Sequence, residues 1–365
     1  MDNFVVSARK YRPTTFASVV GQEHITRTLK NAIATGQLPQ AFLFCGPRGV
    51  GKTTCARILA KTINCEHRTA DGEACNECDS CRSFNEGASM SIFELDAASN
   101  NSVDNMRELV KQVYIPPQTG KYKVYIIDEV HMLSQAAFNA FLKTLEEPPA
   151  YAKFILATTE KHKIIPTILS RCQVFDFKRI EIEDIVRHLK YVADKEQYHY
   201  EDDALKVIAT KAEGGLRDAL SIFDQLVNFT QGNLTYKGVL ENLNVLDSDY
   251  YFRLVDHLRQ NDLSHALLLY QEIIGKGFGG QHFLTGLCEH LRNLMVSLDP
   301  QTICLIDGAD GQRYAQQAQL CGLPLLLNYL STASDYEFRF REANNKNLFV
   351  EVCLMKLATA AIPQT

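Results

Sequence analysis

The feature that most constrains this chain is an eight-residue segment between a short apolar run and a helical pattern. It reads Gly46-Pro47-Arg48-Gly49-Val50-Gly51-Lys52-Thr53 and fits G-x-x-x-x-G-K-[ST]. Glycines let backbone N–H groups turn towards phosphate oxygens, and the N-terminus of the following helix adds partial positive charge. In this pattern the lysine reaches the β- and γ-phosphates, and the Thr53 hydroxyl completes a Mg²⁺ shell. The residues predicted to bind ATP here are Gly46, Gly49, Gly51, Lys52, Thr53 and Thr54.

A second apolar run, Val124–Ile127, ends in the carboxylates of Asp128 and Glu129. An apolar strand that ends in an acid is common, but after an intact phosphate loop it predicts a hydrolytic site. Asp128 would then hold Mg²⁺ through water, and Glu129 would polarise the attacking water as general base. The nearby His131 is predicted to have a structural or coupling role and not to be a ligand.

Four of the 11 cysteines lie within 17 residues, as Cys65-x9-Cys75-x2-Cys78-x2-Cys81. Without a secretion signal, such a cluster indicates a metal site and not a disulfide framework. Four thiolates favour a closed, structural Zn²⁺ site. An iron–sulfur cluster and reduced or regulatory thiols are the alternatives.

The composition excludes a disordered or low-complexity chain, because 46% of the 365 residues are apolar and 22% are charged. The net charge of −5 means that any contact with DNA would use a local surface or need an assembly. No apolar run approaches the roughly 20 residues of a membrane span, and the N-terminus lacks a signal-peptide layout. We therefore expect a cytoplasmic protein with no membrane partner.

The fold class predicted from the pattern of elements is α/β plus all-α. Short apolar runs alternate with helical patterns in the first half, which favours a parallel sheet covered by helices. After about Arg179 only helical periodicity remains. We predict three domains, 1–178, 179–245 and 246–365. The predicted strands are Ala41–Cys45, Ser91–Ala97, Tyr122–Asp128, Lys153–Thr158 and Gln173–Phe177.

If the chain binds ATP, three further residues become candidates for sensing the nucleotide. Thr159 follows the fourth strand, next to the acidic strand end if the sheet is wound as expected, so its hydroxyl could contact the γ-phosphate. Arg171 precedes the fifth strand, and Arg217 opens a helix after Gly214-Gly215. An arginine at a subunit edge can stabilise transition-state charge in a neighbouring site. The alternatives are a strand-ending cap for the threonine and solvated charges for the arginines.

Taken together, these motifs closely resemble the bacterial DNA polymerase III gamma/tau family, the AAA+ ATPase subunits of the sliding-clamp loader. The resemblance covers about residues 7–245 and is weak over the last 120. The segments that carry it are GPRGVGKT (46–53), the four-cysteine module, LDAAS (95–99), VYIIDEVHMLS (124–134), FNAFLKTLEEPP (138–149), ATTE (157–160), ILSRC (168–172), GGLRDAL (214–220) and the N-terminal RKYRP (9–13) with VGQ (20–22).

The resemblance implies an AAA+ P-loop sheet with a zinc-binding insert at about 64–82, a helical lid and a C-terminal helical collar. It also implies an ATP hydrolase within the polymerase holoenzyme, with no polymerase active site in this chain. Lys52, Thr53, Asp128 and Glu129 would form the hydrolytic site, with Thr159 as sensor 1 and Arg217 as sensor 2. Arg171 would act in trans as the finger. The implied adenine-side residues are Tyr11, Arg12 and Val20.

The partners implied by the resemblance are other gamma/tau copies, delta and delta-prime subunits, the ring-shaped sliding clamp and primer-template DNA. Delta-prime relatives share the zinc module but typically lack a working phosphate loop, so the intact loop argues against that identity. The length is gamma-like, whereas a tau form would continue into helicase- and polymerase-binding regions. Where family members often carry basic residues facing DNA, this chain has Asn100-Asn101-Ser102 and keeps only Arg107.

Two other functions fit parts of the sequence. A nucleotide-binding scaffold would hold ATP without useful turnover, but such a protein would tolerate the loss of Glu129, which this chain retains. A Holliday-junction helicase or a replication initiator would share the AAA+ core, but neither would be expected to carry the four-cysteine insert. The clamp-loader motor is the hypothesis that uses every motif.

Overall fold

A computed structural model of the chain describes residues 5–243, 245–302 and 311–360. The chain divides into two compact units, residues 1–239 and 240–365. The predicted collar domain, 246–365, therefore contains two segments, 303–310 and 361–365, that lie outside the described residues. The division into three domains stays a prediction.

A parallel five-stranded sheet forms the centre of the first unit, which confirms the predicted α/β class. The strand order is β2-β3-β4-β1-β5. Each predicted strand is present, with its ends shifted by no more than one residue. The strands are β1 (Ala41–Cys45), β2 (Ile92–Asp96), β3 (Lys123–Asp128), β4 (Ala152–Thr158) and β5 (Gln173–Asp176).

Both faces of the sheet are buried because side chains alternate along each strand. In β1, Phe42 and Phe44 pack into the core on one face, whereas Leu43 and Cys45 pack into the core on the other. All five residues of β1 are buried, as expected for a strand between two neighbours. Because β3, β4 and β1 are neighbours in a parallel sheet, their carboxyl ends lie side by side at one edge. Ligands bind at this edge in open α/β sheets.

Helices cover the sheet and continue beyond it. Two two-residue strands, β6 (His199–Tyr200) and β7 (Asn233–Leu234), pair in parallel among the later helices. Strands of this length are too short to produce a periodic pattern, so the sequence did not predict them. The helices of this unit are α1 (Ser7–Lys10), α2 (Glu23–Thr35), α3 (Lys52–Asn64), α4 (Asp79–Asn85), α5 (Val103–Val113), α6 (Gln135–Glu146), α7 (Pro166–Leu169), α8 (Ile182–Glu196), α9 (Asp202–Lys211), α10 (Leu216–Phe229) and α11 (Tyr236–Leu243), which crosses into the second unit.

The described part of the second unit is helical, as predicted, around one apolar core. Tyr270, Tyr329 and Phe283 are among its largest fully buried side chains. No helix among the described residues is long and apolar enough to cross a membrane. The helices are α12 (Ser248–Arg259), α13 (Leu263–Gly275), α14 (Gly280–Val296), α15 (Gly311–Cys321), α16 (Leu323–Arg339) and α17 (Lys346–Ala360).

Candidate nucleotide site and cysteine centre

The loop between β1 and α3 has a positive φ at each of its three glycines, Gly46, Gly49 and Gly51. Gly46 has φ 146°, and a Cβ there would lie 2.5 Å from the Phe177 carbonyl oxygen. Gly49 has φ 77°, in the left-handed region that side chains disfavour. The motif residues therefore fold as a turn that ends at the N-terminus of α3, a ready-made anion site.

Lys52 is the first residue of α3, and it is only 6% exposed. Its Nζ donates hydrogen bonds to the carbonyl oxygens of Gly46 and Pro47, at 2.8 and 2.7 Å. Burial lowers the pKa of Lys52, although the carboxylates of Glu129 and Asp128 act in the opposite direction. The ammonium therefore lies over the loop, where it can exchange these carbonyl partners for phosphate oxygens.

Thr53 and Asp128 meet across the carboxyl edge of the sheet. The Thr53 hydroxyl donates to Asp128 Oδ2 at 2.7 Å, and the Glu129 N–H donates to Asp128 Oδ1 at 3.0 Å. One carboxylate therefore joins the phosphate loop to the end of β3. A hydroxyl and a carboxylate at this separation are oxygen ligands of the type that Mg²⁺ prefers.

Glu129 has a left-handed backbone, with φ 48° and ψ 45°. Its Oε2 accepts hydrogen bonds from the N–H and the hydroxyl of Thr159, at 3.2 and 2.9 Å. Because β3 and β4 are neighbours, the residue after β4 reaches the carboxylate after β3. The structure thus brings together the predicted general base and the predicted sensor.

The same edge carries a histidine whose contacts the sequence did not specify. His131 Nδ1 lies 3.0 Å from Thr158 Oγ1 and 3.3 Å from Glu129 Oε2. Its Nε2 lies 3.1 Å from Oε2 of Glu160, a residue that sequence reasoning did not single out. Hydrogen bonding to Lys163 is the main cause that lowers the pKa of Glu160. His131 therefore contacts residues at the ends of both β3 and β4, and its predicted coupling role stays a prediction.

Two of the three predicted adenine-side residues, Arg12 and Tyr11, contact α3 and α8. Arg12 Nε donates to Thr54 Oγ1 at 3.1 Å, which ties this segment to the phosphate-loop helix. The Tyr11 hydroxyl bonds to Glu196, and its ring meets that of Tyr191 edge-on with centroids 6.1 Å apart. Val20 is half-buried after a short 3-10 turn.

The two predicted arginines have different surroundings. Arg217 lies in the first turn of α10, and its N–H donates to the Gly49 carbonyl at 3.3 Å, so the start of α10 contacts the phosphate loop. Arg171 instead bonds within its own region, to Glu146 Oε1 at 2.6 Å and to the Thr167 carbonyl at 2.7 Å. These bonds hold Arg171 against α6 and α7, and its role as a finger in trans stays a prediction.

The four cysteines of the insert converge in space. Their sulfur atoms all lie within 4.8 Å of one another, and those of Cys75 and Cys81 are 4.0 Å apart. In a tetrahedral Zn²⁺ site with bonds of about 2.3 Å, the sulfurs would be about 3.8 Å apart. Backbone N–H groups of Glu77 and Cys78 donate to Cys75 Sγ and lower its pKa to about 6. The donor set therefore fits one tetrahedral Zn²⁺ ion.

Glu73 connects the cysteine insert to the N-terminal segment, a link that sequence reasoning missed. Its carboxylate accepts the N–H groups of Phe16 and Ala17, at 2.9 and 3.1 Å, and pairs with Lys30 at 2.7 Å. The residue is only 7% exposed. The insert thus holds the segment that lies between Arg12 and Val20. No spacing rule in the sequence relates these positions.

Comparison with known proteins gives matches over most of the chain. Residues 21–181 match the family described as DNA polymerase III, delta subunit, and residues 184–232 match the DNA polymerase III clamp loader subunit, ATPase lid domain. DNA polymerase III subunit gamma of Buchnera aphidicola subsp. Baizongia pistaciae is 35% identical over 97% of both chains. The chain belongs to the DNA polymerase III gamma/tau family.

Longer members of the gamma/tau family match as well. DNA polymerase III subunit tau of Bacillus subtilis is 46% identical over 79% of this chain and 51% of its own length. The chain spans about half the length of the tau relatives that it matches. The structure of the Thermotoga maritima RuvB Holliday junction branch migration motor has a TM-score of 0.48 at 19% identity, over 68% of this chain and 79% of that one. This likeness adds nothing to the family assignment.

Proposed function

We propose that this gamma/tau chain is an ATP-hydrolysing subunit of a bacterial clamp loader. One observation carries the proposal: hydrogen bonds of 2.7–3.2 Å join Thr53, Asp128, Glu129 and Thr159 at one edge of the sheet, next to the loop whose carbonyls bind Lys52. Each of these residues has a role in phosphoryl transfer to water. Membership of the gamma/tau family indicates what the hydrolysis would drive, namely the action of a clamp loader.

Each residue has a defined task in this mechanism. Lys52 exchanges its carbonyl partners for β- and γ-phosphate oxygens and offsets their charge, while the N–H groups of the loop bind the same phosphates. Glu129 accepts a proton from the attacking water, and before nucleotide binds, the Thr159 hydroxyl holds that carboxylate through a hydrogen bond of 2.9 Å. A γ-phosphate beside Thr159 would compete for this hydroxyl, so nucleotide binding would free Glu129 to act.

Two metals belong to the proposal. Thr53 and Asp128 would hold Mg²⁺, which supplies charge stabilisation at the phosphates when bound. Cys65, Cys75, Cys78 and Cys81 would hold Zn²⁺ in a closed shell that stabilises the insert and leaves no position for chemistry. Glu73 extends that stabilisation to the segment that carries the adenine-side residues Tyr11, Arg12 and Val20.

The remaining roles need other chains. Arg171 would act as the finger in the site of a neighbouring gamma/tau copy, after leaving Glu146. Arg217 would sense nucleotide from α10, and the helices after residue 245 would form the collar that joins delta and delta-prime subunits. We propose that the assembled complex acts on the sliding clamp and primer-template DNA, in the cytoplasm at replication forks.

The DNA contact would depend on the start of α5. Ser102 caps this helix by accepting the N–H of Asn105 at 3.1 Å, and Asn100 and Asn101 precede it. Arg107 pairs with Asp104 at 3.4 Å. Free N–H groups of a helix N-terminus can bind a DNA phosphate without basic side chains.

The test is steady-state ATP hydrolysis by this chain assembled with delta and delta-prime subunits, with and without clamp and primed DNA. We expect strong stimulation when clamp and DNA are both present. A low rate that neither component changes would contradict the motor and favour a nucleotide-binding scaffold. Glu129→Gln, which keeps the size of the side chain, serves as the control for hydrolysis by this chain's own site.

A further inference from the structure

The turn between α12 and α13 brings together three side chains that the proposed function does not use. His257 lies in the last turn of α12, Asp262 caps α13, and His265 lies in its first turn. Asn261 has φ 55°, and the Asp262 N–H donates to the His257 carbonyl at 2.9 Å. This closed turn fixes the distance between the two helix ends.

The Asp262 carboxylate is oriented by the backbone and shared by two imidazoles. Its Oδ1 accepts the N–H of His265 at 3.2 Å. Its Oδ2 lies 2.7 Å from His265 Nδ1 and 3.4 Å from His257 Nδ1. One oxygen therefore holds the carboxylate in place, while the other faces two nitrogen donors. A hydrogen-bonded carboxylate of this kind is typical of metal ligands.

The two imidazole rings of this cluster lie parallel to each other. Their centroids are 5.3 Å apart, their planes are 13° from parallel, and both place Nδ1 within 3.4 Å of Asp262 Oδ2. One divalent ion bound by both Nδ1 atoms would also bind the carboxylate directly.

The distances suit such an ion. One donor atom from each residue lies within 4.8 Å of the others. Zn²⁺ binds imidazole nitrogen and carboxylate oxygen at about 2.0–2.2 Å, which places tetrahedral donors about 3.3 Å apart. The 3.4 Å between His257 Nδ1 and Asp262 Oδ2 already matches, and the 2.7 Å hydrogen bond to His265 needs to open by only about 0.6 Å.

We propose that His257, Asp262 and His265 form a second metal site that binds a divalent transition ion of the Zn²⁺ type. Two imidazoles and one carboxylate favour Zn²⁺ over Mg²⁺ or Ca²⁺, which prefer oxygen ligands. Three protein ligands leave the fourth position to water. Because His265 is 64% exposed, the ion exchanges with solvent more easily than one held by four cysteines. The bound ion fastens the end of α12 to the start of α13.

The test is a Zn²⁺ titration of the full chain after a mild chelator has removed weakly held metal, with bound zinc measured by elemental analysis and calorimetry. Asp262→Asn is the decisive variant, because asparagine still caps the helix but no longer offers an anionic ligand. We expect the wild type to bind one more zinc per chain than Asp262→Asn, or to bind it at least about tenfold more tightly. The cysteine centre contributes equally to both proteins.

His265→Ala should lose the same binding, whereas His282→Ala should not, because His282 is an exposed histidine of the same unit outside the cluster. Imidazole NMR signals of His257 and His265 should shift on adding zinc, while those of His282 should stay in place. Equal zinc stoichiometry and affinity in the wild type and Asp262→Asn would overturn the proposal. So would a zinc response of the wild type that neither His257→Ala nor His265→Ala reduces.

Discussion

The phosphate loop and the cysteine insert belong to the same unit, yet they are assembled in different ways. The candidate nucleotide site collects Lys52 from the first turn of α3, Asp128 from the end of β3 and Thr159 from just after β4, and it adds the start of α10. The cysteine centre takes its four sulfurs from a single segment of 17 residues. A site built by the whole sheet can be disabled by one side chain without unfolding, whereas a local centre is expected to fold or unfold with its metal.

The two regions are nevertheless connected. Glu73, in the insert, accepts N–H groups from Phe16 and Ala17, in the segment that leads from Arg12 to Val20. The comparison therefore separates three kinds of residue: those of the candidate nucleotide site, the cysteines of the insert, and Glu73, which connects the insert to the N-terminal segment. Substitutions in each class should differ in what they change as well as in how much.

Lys52→Ala should have the largest effect. It removes the ammonium from the phosphate site and should abolish ATP binding while the protein stays folded. Nucleotide binding measured with a fluorescent ATP analogue, alongside the thermal midpoint, checks both expectations. The matched control is Lys143→Ala on the exposed face of α6. Tight ATP binding by the Lys52 variant would refute the role of the phosphate loop.

Arg171→Ala should spare nucleotide binding and lower hydrolysis in the assembled complex by about 10³-fold, the usual contribution of an arginine finger. The isolated chain should be almost unaffected, because Arg171 bonds to Glu146 and not to its own nucleotide site. Arg187→Ala, with 78% of its side chain exposed, is the control. An unchanged rate in the complex would remove Arg171 from this role.

Cys81→Ser should release the zinc and loosen the insert, because a buried hydroxyl is a poorer zinc ligand than a thiolate. We expect zinc content to fall from about one ion to none at the cysteine centre, with faster proteolysis between residues 65 and 90. Cys321→Ser, a half-buried cysteine of the second unit, should change neither quantity. A variant that keeps its zinc and its protease resistance would show that the four sulfurs do not form a metal centre.

Glu73→Gln should have the smallest effect and the most selective one. The carboxylate accepts hydrogen bonds from two N–H groups and pairs with a lysine, whereas the amide offers only one oxygen. We therefore expect the free energy of unfolding to fall by about 1–3 kcal/mol. We expect a few-fold rise in the KM for ATP with little change in kcat, because the hydrolytic residues are untouched. Asp71→Asn, an exposed carboxylate of the same insert, is the control. A fall in kcat at unchanged KM would contradict the expectation that Glu73 affects nucleotide binding through the N-terminal segment.

The sequence predicted most of the fold because its signals are local. Apolar runs between turn signals located β1 and β3 within one residue, and the helix after the phosphate loop followed from the motif. The meeting of Glu129 and Thr159 could also be anticipated, since neighbouring parallel strands end at the same edge. By contrast, the Glu73 link joins positions 57 residues apart without any repeating pattern. The His257–Asp262–His265 cluster was overlooked because it lies in the region where the family motifs are weakest.

Glu129 has a left-handed backbone, which costs a residue with a side chain about 1–2 kcal/mol compared with glycine. Replacement by glycine or asparagine would relax that backbone and delete the carboxylate in the same step. Under the proposed function, evolutionary drift towards greater stability at this position would therefore turn an ATPase into a protein that binds nucleotide without hydrolysing it. In the proposed mechanism, selection for turnover keeps a glutamate at a position where backbone strain favours its loss.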